Sequence, residues 1–243
     1  MVFSFYPYYS MQFFDLPRTA LSTYRRNGMF YKPEGIAPAM LTAFNDDGSV
    51  NEDVQKDIVD HCIDSGCKMV FAVSSVGEFV HMEVEQTCQL MDIVYKAAGG
   101  RVPVLVGVTA SHIEKSVELA KYAREIGCQG IVCSPPYYYT VTQEMIERHY
   151  ELLAEAVPDM SIVMYNIPLF STPLSYDLVK RVSTIPNVVA MKDSSGSLVD
   201  MIHFMDKVRL IGSNINILSG REENVFTSTM LGGKGAMVGT ATI

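Results

Sequence analysis

Three groups that could do chemistry stand at the ends of apolar runs. Lys192 closes Val188-Val189-Ala190-Met191, Tyr165 and Asn166 close Ser161-Ile162-Val163-Met164, and Ser74, Ser75 and a Gly77-Glu78 turn follow Phe71-Ala72-Val73. A lysine closing such a run is expected to sit largely out of water, where burial disfavours the ammonium form and frees a nucleophilic amine. That amine condenses with a ketone to give a Schiff base, and the protonated imine then serves as an electron sink for the adjacent C–C bond. Tyr165 supplies a hydroxyl that moves a proton to or from the reacting oxygen, and Ser75 can link it to a second donor. Each has a plainer reading: a lysine that snorkels to solvent, and a tyrosine and serine that pack and cap.

The runs that carry these groups belong to a regular series. Eight apolar stretches read as strands: 35–44, 68–75, 102–109, 129–136, 160–168, 187–196, 215–220 and 235–241. Seven helical stretches alternate with them: 51–66, 83–100, 111–127, 142–157, 174–183, 197–208 and 221–233. In the first, Val54, Ile58, Val59, Cys62 and Ile63 recur at helical spacing behind an Asn51 N-cap, and the second is stopped by Gly99-Gly100. Continuous Val/Ile/Met strands imply a parallel sheet buried on both faces. Eight βα units favour a (β/α)8 TIM barrel, whose C-terminal strand ends line the active-site mouth. A doubly wound sheet would carry a Gly-rich phosphate loop after its first strand, where this chain has TAFNDDGS. Gly232-Gly233-Lys234-Gly235 reads as a tight turn rather than a phosphate site. The chain reaches Ile243 just past the eighth strand, so the barrel is expected to lack its last helix and the C-terminal helical segment, leaving the outer face of that strand bare.

Composition narrows the function classes. The 243 residues are 48% hydrophobic with a net charge of −8, ample for a core and unsuited to nucleic acid or an anionic membrane surface. No run of about 18 apolar residues is present to span a bilayer. Cys62, Cys67, Cys88, Cys128 and Cys133 form no C-x-x-C pair and read as small hydrophobes in a reducing cytoplasm. The five histidines never fall at i, i+4, so neither a metal nor a cofactor is implied. Residues 1–28 stand apart from the barrel expected over 29–243: aromatic clusters without a period, and no signal-peptide architecture. A translation start assigned too early, with Met29 as initiator, accounts for them; an arm used in subunit contacts is the alternative.

Four segments resemble the pyruvate-dependent class I aldolases grouped with dihydrodipicolinate synthase and N-acetylneuraminate lyase. They are SSVGE (74–78), PPYYYT (135–140), YNIP (165–168) and VVAMKDSSG (188–196), within a resemblance that runs from about Gly35 to the end. The resemblance implies that Lys192 is the Schiff-base lysine, Tyr165 the proton-relay tyrosine, and Ser75 the hydroxyl bonded to it. It further implies that Tyr138 is lent across a dimer interface to a neighbouring subunit. The resemblance also implies that Gly77 belongs to the turn whose backbone N–H groups cradle the pyruvate carboxylate, which then needs no dedicated arginine.

The departures bear on the substrate. Val76 stands where the turn usually has a threonine, so one carboxylate contact is lost or replaced by the backbone. Phe170 stands where the synthases hold the aldehyde's carboxylate with an arginine. A buried Phe170 would penalise aspartate semialdehyde and favour a neutral polyol tail. Gly220, Glu222 and Glu223 match sugar-binding positions of the sialic-acid lyases, and Ser194 fits the same branch. For Glu222 and Glu223 the alternative is a negative first helical turn, favourable in itself.

The resulting expectation is a carbon–carbon lyase that cleaves or forms a 2-keto-3-deoxy sugar acid. Pyruvate is one fragment and an aldehyde the other, on a homo-oligomer without cofactor. A 4-hydroxy-tetrahydrodipicolinate synthase-type condensation or a keto-acid dehydratase would use the same imine. A non-catalytic or truncated homologue is the reading of another class, fed by Val76 and the missing helix.

Overall fold

The computed structural model describes residues 30–243, so the expectation for residues 1–28 lies outside the described residues. Eight strands form one parallel sheet: β1 (Gly35–Pro38), β2 (Val70–Ala72), β3 (Val104–Gly107), β4 (Gly130–Cys133), β5 (Ser161–Asn166), β6 (Val188–Asp193), β7 (Asn216–Ser219) and β8 (Gly235–Val238). Helices α1 (Glu52–Asp64), α2 (Val84–Ala98), α3 (Ile113–Ile126), α4 (Gln143–Ala156), α5 (Tyr176–Val182), α6 (Leu198–Leu210) and α7 (Val225–Met230) alternate with them. The ladder runs from β2 through β3 to β8 and on to β1. It closes where Lys68 N–H donates to Ile36 O (3.2 Å) and Met40 N–H to Phe71 O (2.9 Å). This is the expected (β/α)8 barrel.

Local chemistry sets the element ends. Asn51 caps α1 through a bond from Val54 N–H, Thr142, Ser175 and Ser197 cap α4, α5 and α6, and α2 ends on Gly99 in the left-handed region. Val54 itself is exposed, and the buried face of α1 is carried by Gln55, Val59 and Cys62. β1 and β8 approach so closely that a Cβ on Gly235 would stand 2.0 Å from Gly35 O, which makes glycine obligatory there. β2 is shorter than the apolar run 68–75 suggests, since Val73 turns out of the strand at φ 56.

Two apolar layers result. Inside the barrel lie Met69, Phe71, Leu105, Val132, Val163, Leu218 and Met237. Between sheet and helices lies a larger layer that includes Val59, Leu90, Leu119, Leu153, Leu178 and Phe204. The expected bare face on β8 is not found: all four of its residues are buried, and α7 packs on β7 and β8. The exposed apolar side chains near that end are Phe226, Met230 and Ile243 instead. Among the described residues no helix is long and apolar enough to cross a membrane.

Candidate active site

β5 and β6 bring Tyr165 and Lys192 face to face at the C-terminal end of the barrel. Lys192 is 3% exposed, and its Nζ lies 4.3 Å from the centroid of the Tyr165 ring and 5.2 Å from that of Phe71. Two aromatic faces thus hold the amine in place of water. Gly220, at the end of β7, makes the space for it. A Cβ there would stand 2.9 Å from Lys192 Cε and 2.0 Å from Ser194 Oγ, while its N–H donates to Asp193 O (2.7 Å). Gly220 therefore serves the lysine directly, beyond the sugar contact that the resemblance implies.

One residue past the facing pair, on the outer side of the sheet, Asn166 Nδ2 donates to Asp193 Oδ1 (2.7 Å). Asp193 also accepts from Ser195 N–H and Oγ, and Asn166 Oδ1 accepts from Leu174 N–H. Burial raises the Asp193 carboxyl above its ordinary pKa, and the bonds from Asn166 and Ser195 oppose that shift. The two strand ends are locked together behind the reacting face.

The turn after β2 is the third wall. Ser74 Oγ donates to Met40 O (3.0 Å) and accepts from Gly77 N–H (3.0 Å), and Thr42 Oγ1 donates to Gly77 O (2.6 Å). Val73 and Glu78 hold left-handed backbone at either end, at φ 56 and 60, a strain kept by the surrounding bonds. The amide of Gly77 is thus already used and cannot cradle a carboxylate. The amides of Ser75 and Val76 donate to no acceptor among the described residues and take over that expectation. Ser75 is half-buried and makes no hydrogen bond to Tyr165 among the described residues, while the Val76 side chain is exposed and turned towards Gly239.

The rim holds the remaining candidates. Glu222 Oε1 accepts from Thr240 N–H (3.1 Å) and Oγ1 (3.3 Å); burial opposes its charge, but these and neighbouring amide bonds outweigh burial and lower its pKa. Its own backbone amide and Arg221 lower the pKa of Glu223, which the guanidinium grips by one oxygen. Ser194 Oγ leans on Gly220 O at 3.4 Å. Phe170 corrects the sequence expectation: it is 58% exposed on the loop after β5, so no buried apolar wall penalises a charge there. Tyr138 is 85% exposed at φ 83, its ring edge-on to Tyr139, and within one chain it stands out in solvent.

Three residues that the sequence does not single out belong to this site: Phe71 under the lysine, Asp193 behind it, and Arg221 beside Gly220. A count of charge loop by loop would have found Arg221. Phe71 and Asp193 required the register.

Comparison with known proteins agrees with the fold. The model of the dihydrodipicolinate synthetase family matches residues 32–243. A 4-hydroxy-tetrahydrodipicolinate synthase of Thioalkalivibrio sulfidiphilus is 30% identical over 210 residues, 86% of this chain and 70% of the relative. The probable 2-dehydro-3-deoxy-D-pentonate aldolase YjhH of Escherichia coli is 28% identical over 212 residues, with the same two coverages. The crystal structure of YagE, a prophage protein from E. coli K12 in complex with pyruvate, superposes with a TM-score of 0.83 at 27% identity, covering 86% of this chain and 70% of that one. A match over nearly all of the described barrel, with a buried lysine facing a tyrosine at its mouth, means that this chain belongs to the dihydrodipicolinate synthetase family.

Proposed function

We propose that this chain is a class I aldolase that cleaves or forms a 2-keto-3-deoxy sugar acid through an imine on Lys192, with pyruvate as one fragment. The observation that carries the reading is the amine of Lys192, 3% exposed and 4.3 Å from the Tyr165 ring at the strand ends of the barrel. In the cleavage direction the Lys192 amine attacks the substrate's keto carbon and water leaves. The imine carries the positive charge. Tyr165 takes the proton of the hydroxyl on C4 as it gives its own to water, the C3–C4 bond breaks, and its electron pair enters the iminium to give an enamine. The aldehyde departs, C3 is protonated, and water releases pyruvate and restores the amine. The protonated imine is the electron acceptor, so the sequence asks for neither metal nor cofactor.

The named aldolase YjhH and the pyruvate complex of YagE support this direction, while relatives of similar identity are named synthases. The synthase reading shares the imine and is disfavoured at position 170, where Phe170 stands in place of an arginine. Ser75 and Val76 would hold the pyruvyl carboxylate by their amides. Ser194, Gly220, Glu222 and Glu223 face the other fragment. The solvent-facing Tyr138, with Tyr139, Leu169 and Phe170 exposed beside it on neighbouring loops, suits pairing with a second copy that receives the tyrosine. Five free thiols suit a reducing cytoplasm.

Incubation with pyruvate and borohydride tests the reading. A reduced pyruvyl adduct is expected on Lys192, located by peptide mass spectrometry and absent in Lys192→Ala. Labelling elsewhere, or none in a folded sample, would overturn it.

A further inference from the structure

The loops at the C-terminal strand ends are 39–51, 73–83, 108–112, 134–142, 167–175, 194–197, 220–224 and 239–243. They contain a single lysine or arginine, and it is Arg221. The described lysines and arginines otherwise lie on helices, on the opposite face of the barrel, or, for Lys192, inside it. In a chain of net charge −8 this places one cation on the rim of the candidate site.

Its position is tied to the reacting centre. Arg221 follows Gly220, the residue packed on Lys192 Cε and bonded to Asp193 O. Its side chain extends over the loop after β6, where Nε lies 4.0 Å from the place a Cβ would take on Gly196. Ser219 Oγ bonds both the N–H and the C=O of Arg221 and fixes its backbone. The guanidinium is tethered but not saturated. Nε and Nη2 share one oxygen, Glu223 Oε1, at 3.0 and 2.8 Å, and Nη1 bonds nothing among the described residues. A half-exposed pair two residues apart contributes little to stability, so folding gives no reason for it. What the pair does is hold a planar fork of donors in one orientation at the mouth.

On the reading above, the unbonded amides of Ser75 and Val76 hold the pyruvyl carboxylate, which then does not require this arginine. We propose that Arg221 is the specificity-determining residue for the aldehyde fragment, receiving an anionic terminus, carboxylate or phosphate, while Glu223 holds the fork in place. The assignment rests on the imine reading above and deepens it: the keto-deoxy acid carries a second acidic group at its far end. Phe170 does not compete for that role, being uncharged, nor does Glu222, itself a carboxylate bonded to Thr240.

The test separates the two readings. The protein is first treated with pyruvate and borohydride, and trapping at Lys192 reports on the imine alone. Calorimetry on the trapped protein then compares glycerol, glycerate and glycerol 3-phosphate as fragment analogues. One of the two anions is expected to bind about tenfold or more tightly than glycerol, and the stronger one identifies carboxylate or phosphate as the group recognised. Arg221→Gln should abolish that advantage while leaving trapping unchanged, and Glu223→Gln should weaken it only partly, leaving the fork present but less well held. Equal binding of glycerol and both anions, or an advantage that survives Arg221→Gln, would overturn the proposal. If trapping fails, the same comparison on untreated protein still decides whether Arg221 selects an anion.

Discussion

Tyr165 stands opposite Lys192 because β6 carries one residue more than β5 below that pair. Val188 pairs with Ile162 but Ala190 with Val163, leaving Val189 as the residue of a bulge. Val189 and Ala190 both face the barrel interior, whereas Val188 and Met191 face the helices. A regular strand would instead set Lys192 opposite Asn166, on the outer face, since side chains alternate with period two.

The bulge yields a pair of opposed expectations. Deleting Val189 removes the extra residue and keeps Lys192 facing inwards, so pyruvate trapping persists in a less stable protein. Inserting one valine between Ala190 and Met191 turns Lys192 outwards and should lower the trapping rate by about a hundredfold or more. Trapping that is insensitive to the insertion would show that the register does not position the lysine.

The space left by Gly220 is a second point of control. In Gly220→Ala the new methyl would meet Ser194 Oγ at 2.0 Å and Lys192 Cε at 2.9 Å. Ser194 can rotate away, but the lysine is enclosed by Phe71 and Tyr165 and must tilt. Trapping by borohydride at subsaturating pyruvate should slow by about tenfold or more. Adding Ser194→Ala removes one clash only, so recovery to the parent rate in the double variant would contradict the packing argument.

How much of this could be read from the residues differs from place to place. The burial of Lys192 was legible, because parallel strands covered on both faces read as unbroken Val/Met runs. The seven helices followed from spacing, and two of their ends from Asn51 and Gly99. The exposure of Phe170 was not, since the sequence does not say whether an apolar residue in a loop has anything packed above it. Which serine holds the Gly77 amide was not legible either. Ser74 and Ser75 are alike in the sequence, and the choice is made by the left-handed backbone at Val73. Nor could the bulge at Val189 be seen, because a strand buried on both faces shows no alternation for an extra residue to interrupt.

Removing the Tyr165 hydroxyl should separate binding from bond cleavage. The ring lies against Nζ, so Tyr165→Phe keeps the aromatic wall beside Lys192. Imine trapping with pyruvate should persist within a few-fold. Aldol cleavage, which needs the proton moved from the substrate hydroxyl, should fall by about 10²–10⁴ in kcat. Equal losses in trapping and cleavage would assign Tyr165 a packing role only.

Stability towards acid should be set in part by His149. This imidazole lies between α4 and β4, its Nε2 3.4 Å from Cys133 Sγ, and burial lowers its pKa to about 4. The unfolded chain binds a proton at about pH 6.5. Between these values the unfolded state holds more protons than the folded one, so stability rises with pH through that window and is level above it. As pH falls from 6.5 to 4, the protein should lose up to about 3 kcal/mol from this group alone, the roughly 2.5-unit difference at 1.36 kcal/mol each. His149→Met, which fills the cavity without a titrating group, should remove that slope while leaving the carboxylate-driven loss at lower pH. Urea unfolding at pH 7.0, 6.0, 5.0 and 4.5 would measure it for both proteins. Parallel pH dependences would mean that the imidazole is charged in the folded state, and that its contact with the Cys133 thiol is not the neutral bond that its burial demands.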